Sequence, residues 1–423
     1  MTLPRPPAPP LPRPLRIGLV TGEFPPMEGG VGAFTEQLAR ALAALGHEVT
    51  IITSRRARPS PLPLGGVGGG SGGGLASLFQ PIDLGYARLY PRVGRWRWPS
   101  LSTIADIAVR HDLEVVNLQY QAAAFNMGSA AINYLPWRLR GVAPTVVTFH
   151  DLRVPYLFPK AGGLRQHVVR ALAARAAGCI ATNAADFRVL HGWTDRPVRQ
   201  VPIGSNIDAY EPNHVEIAEV RDGLGLGVGD VLLGYFGFLN ETKGADTLIE
   251  ALARLDGRYH LVFIGGQTGA SDPANNEAFL AGLRGQIDRL GLSARVHWTG
   301  FLASVRVSAH LAAADLMVMP YRDGVSLRRG TLMAVLAHGR PLITTAPAEP
   351  TPELRHGENV WLVSPADPAA LAEAVATLAA DPARRDQLGR AARVLAGQFA
   401  WPAIAAQTAG FFAELLEAVG TRG

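Results

Sequence analysis

The chain has 423 residues, of which 48% are apolar and 18% charged, enough apolar material for two or three buried cores and too little charge for a disordered polymer. Its single cysteine, Cys179, excludes an internal disulfide and a cysteine-ligated zinc cluster. The net charge of +5 conceals an asymmetry: residues 1–205 carry 22 Lys and Arg against 11 Asp and Glu, whereas residues 206–423 carry 18 against 24.

In chain order, residues 1–15 are proline-rich where a secretory peptide needs an unbroken apolar segment, which predicts a disordered tail and no export. A β-branched run at 16–21 leads through a glycine cluster to a helical apolar pattern at 31–45 and a second strand at 48–53, a βαβ unit. The glycine-rich run at 65–74 reads as a surface loop. Further buried strands are expected at 114–119, 145–150, 178–183 and 199–204, with helices between several of them, as in a covered parallel sheet. A second series places strands at 231–237, 260–265, 296–300, 316–320, 341–345 and 360–364. Its helices fall at 244–255, 275–290, 305–314, 330–338, 368–379 and 382–398, before a last one at 401–419. Two series predict two sheets, with a boundary near 206–219. No run is long and apolar enough to span a bilayer.

Several motifs carry chemistry. Gly29-Gly30-Val31-Gly32 opens the first helix, where unobstructed N–H groups suit an anion; a plain tight turn is the alternative. It fails the dinucleotide pattern, because Thr35 stands where the third glycine belongs and the second strand runs into Ser54-Arg55-Arg56 without an acidic residue, which disfavours an oxidoreductase. His150 and Asp151 end a strand on the edge where parallel sheets hold ligands, so His150 suits a substrate hydroxyl and Asp151 its orientation, against ordinary packing. Lys243 joins a strand to a helix, and Arg328 and Arg329 precede another helix. Together they suit a diphosphate, unless they are solvated surface charges. Between 85 and 98, Arg88, Arg92, Arg95 and Arg97 alternate with Tyr86, Tyr90, Trp96 and Trp98, which suits an anionic acceptor or an acidic lipid surface; a solvated loop is the alternative. No nucleic-acid fold is recognisable, and no Asp/His cluster suggests a metal.

The succession of Gly29-Gly-Val-Gly32, Thr148-Phe-His-Asp151, Val201-Pro-Ile-Gly-Ser-Asn206, Gly237-Phe-Leu-Asn-Glu-Thr-Lys243-Gly244, Ala337-His-Gly339 and Gly357-Glu-Asn359 resembles the retaining GT-B glycosyltransferases of the glycogen-synthase-like clan (group 1, family 4-like). The resemblance implies an α/β chain of two Rossmann-like doubly wound domains facing each other across a crevice. Residues 16–205 would bind the acceptor and 206–398 the nucleotide-sugar, with 399–423 a helix crossing back to the first domain. It further implies a hexosyl transfer from a nucleotide diphosphate sugar to a glycan, lipid or small-molecule acceptor, with retention. No cofactor or metal is implied, and the setting is cytoplasmic or peripheral at the inner membrane face.

The residues expected to act are His150, Asp151 and Lys243 in catalysis and Gly30, Gly32, Gly237, Lys243, Ser326, Leu327, Arg328, Arg329, Gly330 and Thr331 at the donor. Gln119, Tyr120 and Lys160 are expected at the acceptor. Two positions depart from the family. Phe238 stands where an arginine partners the lysine, and Ser326 and Ala334 stand where two glutamates, with seven residues between them, contact the donor sugar and ribose. These departures keep open a GT-B-like nucleotide- or glycan-binding protein without turnover. They also predict that Arg328 or Arg329 converges with Lys243 on one diphosphate.

Overall fold

The computed structural model describes residues 13–27, 29–57, 80–125, 127, 129–152, 164–205, 207, 209–266 and 273–420. The expected tail, apart from its last three residues, the glycine-rich loop and Lys160 lie outside them. The chain forms two compact units: one runs to Pro202 and resumes at Trp401, and the other is Ile203–Ala400.

Unit one is built on eight strands: β1 Arg16–Thr21, β2 Glu48–Ser54, β3 Ile82–Asp83, β4 Arg88–Val93, β5 Val115–Tyr120, β6 Thr145–Phe149, β7 Gly178–Ala181 and β8 Val198–Gln200. They lie in the order β3-β4-β2-β1-β5-β6-β7-β8, all parallel except the β3–β4 pair. The central strand β5 is buried along its whole length, as expected of a parallel sheet covered on both faces. The helix Gly30–Ala44 buries Val31, Phe34, Leu38 and Leu42, a stripe at helical spacing.

Sequence periodicity did not reveal β4. Leu89, Tyr90, Pro91 and Val93 are buried and only Arg88 is exposed, a nearly continuous buried run without the alternation of a half-exposed strand, and Arg88 Nη1 lies 3.1 Å from Glu48 Oε2 on the neighbouring strand. Pro91 sits where the β2–β4 register shifts at Thr53/Ser54, a place where a missing N–H is tolerated. Trp96 is buried as well, so only part of the basic aromatic segment reaches solvent: Arg88, Arg95, Arg97 and Trp98 are exposed.

The helix Trp401–Gly420 packs in unit one. Trp401 meets Phe34 edge-on at 5.1 Å, and a Cβ at Gly178 would come within 2.8 Å of the Phe411 ring. Glycine at the start of β7 therefore lets this helix lie close to the sheet. Arg199 Nη2 donates to Glu414 Oε2 at 2.5 Å.

Unit two holds six parallel strands, β9 Val231–Phe236, β10 Tyr259–Ile264, β11 Val296–Trp298, β12 Leu316–Met319, β13 Leu342–Thr345 and β14 Trp361–Val363, in the order β11-β10-β9-β12-β13-β14. Two apolar clusters cover its faces, one containing Met317, Met319 and Leu332 and the other Leu233, Leu248 and Val375. Among the described residues, no helix is long and apolar enough to cross a membrane.

Candidate active site

Each sheet has one point where successive connections leave in opposite directions, and the carboxyl ends of the strands there open a crevice. In unit one this point lies between β1 and β5, in unit two between β9 and β12.

At the unit-one point, the loop after β1 runs against the short helix Ala122–Phe125: a Cβ at Gly22 would lie 2.2 Å from Ala124 O. The same loop turns Glu23 back onto the helix Gly30–Ala44, where Glu23 Oε1 accepts from Val31 N at 3.1 Å and Gly32 N at 3.3 Å. Burial pushes the Glu23 carboxyl pKa up, and the two amides pull it back only in part. Of the two glycines expected to face a phosphate, Gly32 thus has its amide engaged from within the chain, together with that of Val31. Gly32 has a packing role, since a Cβ there would sit 3.1 Å from Phe24 Cα, whereas Gly30 has open space.

His150 follows β6 and is half-buried, with the edge of Phe34 against its ring at 4.7 Å. Its Nε2 lies 2.8 Å from Gln119 Oε1. Gln119 uses its own amide N–H on Asn117 Oδ1, and Asn117 donates to Val146 O at 3.2 Å and Thr148 Oγ1 at 2.9 Å. Because the Gln119 amide nitrogen is engaged elsewhere, its oxygen faces His150, which places the imidazole proton on Nε2 and leaves Nδ1 an acceptor. Desolvation lowers the His150 pKa to about 3, so the ring is neutral at working pH. Asp151 Oδ2 accepts from Gln121 Nε2 at 3.0 Å.

The structure corrects two expectations here. Gln119 and Tyr120 are fully buried, so neither offers surface to an acceptor. Gln119 instead orients His150, and Tyr120 is a core residue whose hydroxyl accepts from Asn133 Nδ2 at 3.0 Å.

At the unit-two point, two loops are tied together. Arg322 N donates to Thr242 O at 2.9 Å, and the Arg322 guanidinium bonds Asp246. Gly244 has φ +71°, and a Cβ there would fall 1.9 Å from Pro320 O; only glycine permits this approach. The consequence is that Lys243, after β9, and Arg329, after β12, share the ring of Tyr321. Arg329 Cζ lies 3.9 Å and Lys243 Nζ 5.6 Å from its centroid.

Burial, and then the Arg329 charge, lower the Lys243 pKa to about 8, with Asp323 opposing. Asp323 Oδ1 accepts from Arg329 Nη2 at 2.5 Å, yet Arg329 Nε is buried without a partner among the described residues. A buried guanidinium N–H left unpaired is costly, and it marks a place for an acceptor.

The other unit-two residues expected at the donor follow the same two strands, β9 and β12. The helix Gly330–Ala337 begins directly after Arg329 with no side-chain cap, in contrast to the Glu23-capped helix of unit one. Gly237, at φ +127°, faces Thr331, whose Cγ2 a Cβ would meet at 3.0 Å. Ser326 Oγ accepts from Arg328 N at 3.4 Å, and Leu327 packs against the unit-two core. Arg328 is exposed, and of the two arginines it is Arg329 that meets Lys243. Phe238, standing where the family has its arginine, is 47% exposed and packs beside Gly266. Ala334 is fully buried. Among the described residues, no three His, Cys, Asp or Glu side chains gather to hold a metal ion.

Comparison with known proteins agrees with this geometry. The family model for Glycosyltransferase Family 4 matches residues 28–208, and that for Glycosyl transferases group 1 matches residues 230–381. The D-inositol 3-phosphate glycosyltransferase of Xylanimonas cellulosilytica is 27% identical over 55% of this chain and 54% of its own. The lipopolysaccharide core biosynthesis glycosyltransferase LpsE of Rhizobium meliloti is 33% identical over 39% of this chain and 44% of its own. The chain spans about half the length of the curated relatives it matches.

Among solved structures, the sucrose-phosphate synthase of Thermosynechococcus elongatus superposes with a TM-score of 0.71 at 23% identity, covering 96% of this chain and 100% of that one. Anabaena HepE, solved with UDP and glucose, gives 0.68 at 19% identity over 94% and 99%. With its two halves matched in order by the two domain models and its two parallel-sheet units, the chain belongs to the group 1 and family 4 glycosyltransferases of GT-B fold.

Proposed function

We propose that this protein transfers a sugar from a nucleotide diphosphate donor to an acceptor hydroxyl, with retention at the anomeric carbon. The observation that carries the reading is the Lys243–Arg329 pair on Tyr321, with an unpartnered buried Arg329 Nε beside an uncapped helix. A departing diphosphate needs such preorganised positive groups. The solved relative HepE holds UDP or UDP-glucose, which supports a nucleotide-sugar donor here.

His150, neutral and with Nδ1 as acceptor, suits hydrogen bonding to a sugar or acceptor hydroxyl. With a pKa near 3 it is too weak a base to keep the acceptor proton. The anomeric carbon–phosphate oxygen bond therefore breaks as the acceptor oxygen attacks from the same face, and the acceptor proton passes to the departing phosphate oxygen.

Residues 16–205 and 206–398 serve as acceptor and donor domains in this reading, with 399–423 as the returning helix. The exposed Arg88, Arg95, Arg97 and Trp98 form the surface that would meet an acidic membrane or anionic acceptor.

One observation favours binding without turnover: position 334 is a fully buried alanine, so no carboxylate reaches a ribose from there. Both readings are tested by calorimetry with UDP, GDP, ADP and dTDP, followed by release of free nucleotide from a panel of the corresponding sugar donors. Binding with release supports the transferase, binding without release the second reading, and no binding contradicts both.

A further inference from the structure

Unit two has a second basic cleft, on the opposite edge of its sheet. A cavity of about 360 Å³ is lined by Asp315, Arg340, Arg385, Asp386, Arg390 and Arg393, with Gly339 and Gly389 among its remaining walls. Asp315 stands just before β12 and Arg340 just before β13, so the cleft lies at the amino ends of these two strands, whereas Lys243 and Arg329 follow the carboxyl ends of β9 and β12.

The local fold explains how it is built. Gly339, at φ +61°, ends the helix Gly330–Ala337, and a Cβ on Gly389 would lie 2.4 Å from Gly339 O. Two glycines therefore let the helix Pro382–Ala396 pack backbone to backbone against this turn. Positions 386, 389, 390 and 393 share one face of that helix, which directs Asp386, Arg390 and Arg393 along the cleft. Neither glycine nor arginine is there to fill a core.

The charges in this cleft do not balance. Asp315 Oδ2 is already taken by Arg221 Nη1 at 3.0 Å and Leu232 N at 2.8 Å. Arg385 Nη1 donates to Leu378 O at 2.8 Å and Ala379 O at 2.6 Å, and Arg393 donates to Glu211 Oε1 at 2.5 Å and His338 O at 3.3 Å. Arg340 reaches Ala314 O, but its Nε is buried without a partner among the described residues. Burial lowers the Arg340 pKa, and Arg393 and Arg385 lower it further, while Asp315 and Asp386 offset part of this. Arg390 is exposed and forms no hydrogen bond or ion pair among the described residues. Four arginines thus line one cavity in which only Asp386 is an uncommitted carboxylate among the described residues.

We propose that this cleft is a binding site for a small phosphate-bearing anion, separate from the nucleotide-diphosphate site. Guanidinium forks match phosphate oxygens, and the cavity has the volume of a small-molecule pocket, not of a single ordered ion. The phosphate comes either from a free inorganic species or from a phosphorylated sugar.

The test uses full-length Lys243→Ala protein, in which the competing diphosphate site is weakened, titrated calorimetrically with pyrophosphate. The expected result is one equivalent bound, weakened at least about tenfold when Arg390→Glu is added and strengthened by Asp386→Ala. Arg390→Glu alone should leave UDP affinity at the wild-type value, which shows that the fold and the other site are intact. Tighter binding of ribose 5-phosphate than of inorganic phosphate assigns the source to a sugar phosphate, and the reverse assigns it to the free ion. Absence of pyrophosphate binding at about 10 mM, or equal affinity with and without Arg390→Glu, overturns the proposal.

Discussion

The two strand-end crevices share a topology and differ in charge. In unit one, the helix that opens beside the crevice is capped by Glu23, and its neighbours His150, Gln119 and Asn117 form a neutral hydrogen-bonded chain. In unit two, the helix Gly330–Ala337 after β12 has no side-chain cap, and Lys243 and Arg329 stand beside it. A helix N-terminus attracts an anion only while its amides are available. In the proposed reading, one helix end therefore lies beside hydroxyl recognition and the other beside phosphate recognition, and the difference comes from one carboxylate and two cations.

The comparison breaks most visibly at His150. His150→Ala should lower kcat by about 100-fold, the lower end of what a positioned polar catalytic group contributes, while nucleotide affinity changes little. Steady-state kinetics with calorimetry checks this, and full activity would reduce His150 to a packing residue.

On the charged side, Arg329→Ala and Lys243→Ala should each weaken nucleoside diphosphate binding by about 1.5–3 kcal/mol. The double variant should fall short of the sum, because both cations face Tyr321 and each alters the other. Equal affinity in the double variant and the wild type would remove the phosphate site from unit two.

A third test exchanges the roles. Glu23→Ala should cost roughly 1 kcal/mol of stability, as for loss of a helix cap, and leave diphosphate affinity unchanged. A clear gain in affinity would mean that phosphate reaches the unit-one helix after all.

The pH dependence sharpens the contrast. Lys243 titrates near 8 in the free protein, below its ordinary value, so its folded state disfavours the charged form and gains a proton when phosphate arrives. Diphosphate affinity should be flat below pH 7, fall as pH rises through 8, and lose that fall in Lys243→Arg; the neutral His150 should add no inflection between pH 5 and 9. Calorimetry in buffers of different ionisation enthalpy reads the proton uptake directly.

The smallest effect concerns the exposed basic edge. Replacing Arg88, Arg95 and Arg97 by Ser should reduce sedimentation with acidic liposomes at low salt, each cation contributing about 1 kcal/mol. Equal sedimentation with acidic and neutral vesicles would contradict membrane contact.

Much of this arrangement was legible in sequence because its signals are local. The β-branched runs of the central strands, the lysine between strand and helix, and the arginines before Gly330 each sit within a few residues of the turn that positions them. The absence of an arginine at Phe238 points to Arg328 or Arg329 as the second cation, and only the fold separates exposed Arg328 from Arg329 on Tyr321. What was not legible depends on contacts made at a distance or on a side chain turning back. Nothing near Glu23 announces that its carboxylate folds over Val31 and Gly32. The burial of Gln119 and Tyr120 follows from β5 being covered on both faces, which a strand-end position conceals. β4 carries no period-two signal, and its Pro91 fits beside the register shift in the pairing with β2. The second arginine cleft draws on residues from 315 to 393, and the spacing along 386–393 is its one local trace.

The account rests on where the diphosphate sits, and a crystal structure of the protein with UDP answers that most directly. The account predicts phosphate oxygens within about 3.2 Å of the Arg329 guanidinium and the Lys243 ammonium, in line with the first amides of the helix Gly330–Ala337. Phosphates bound instead at the Val31 and Gly32 amides, with Glu23 displaced, would contradict it.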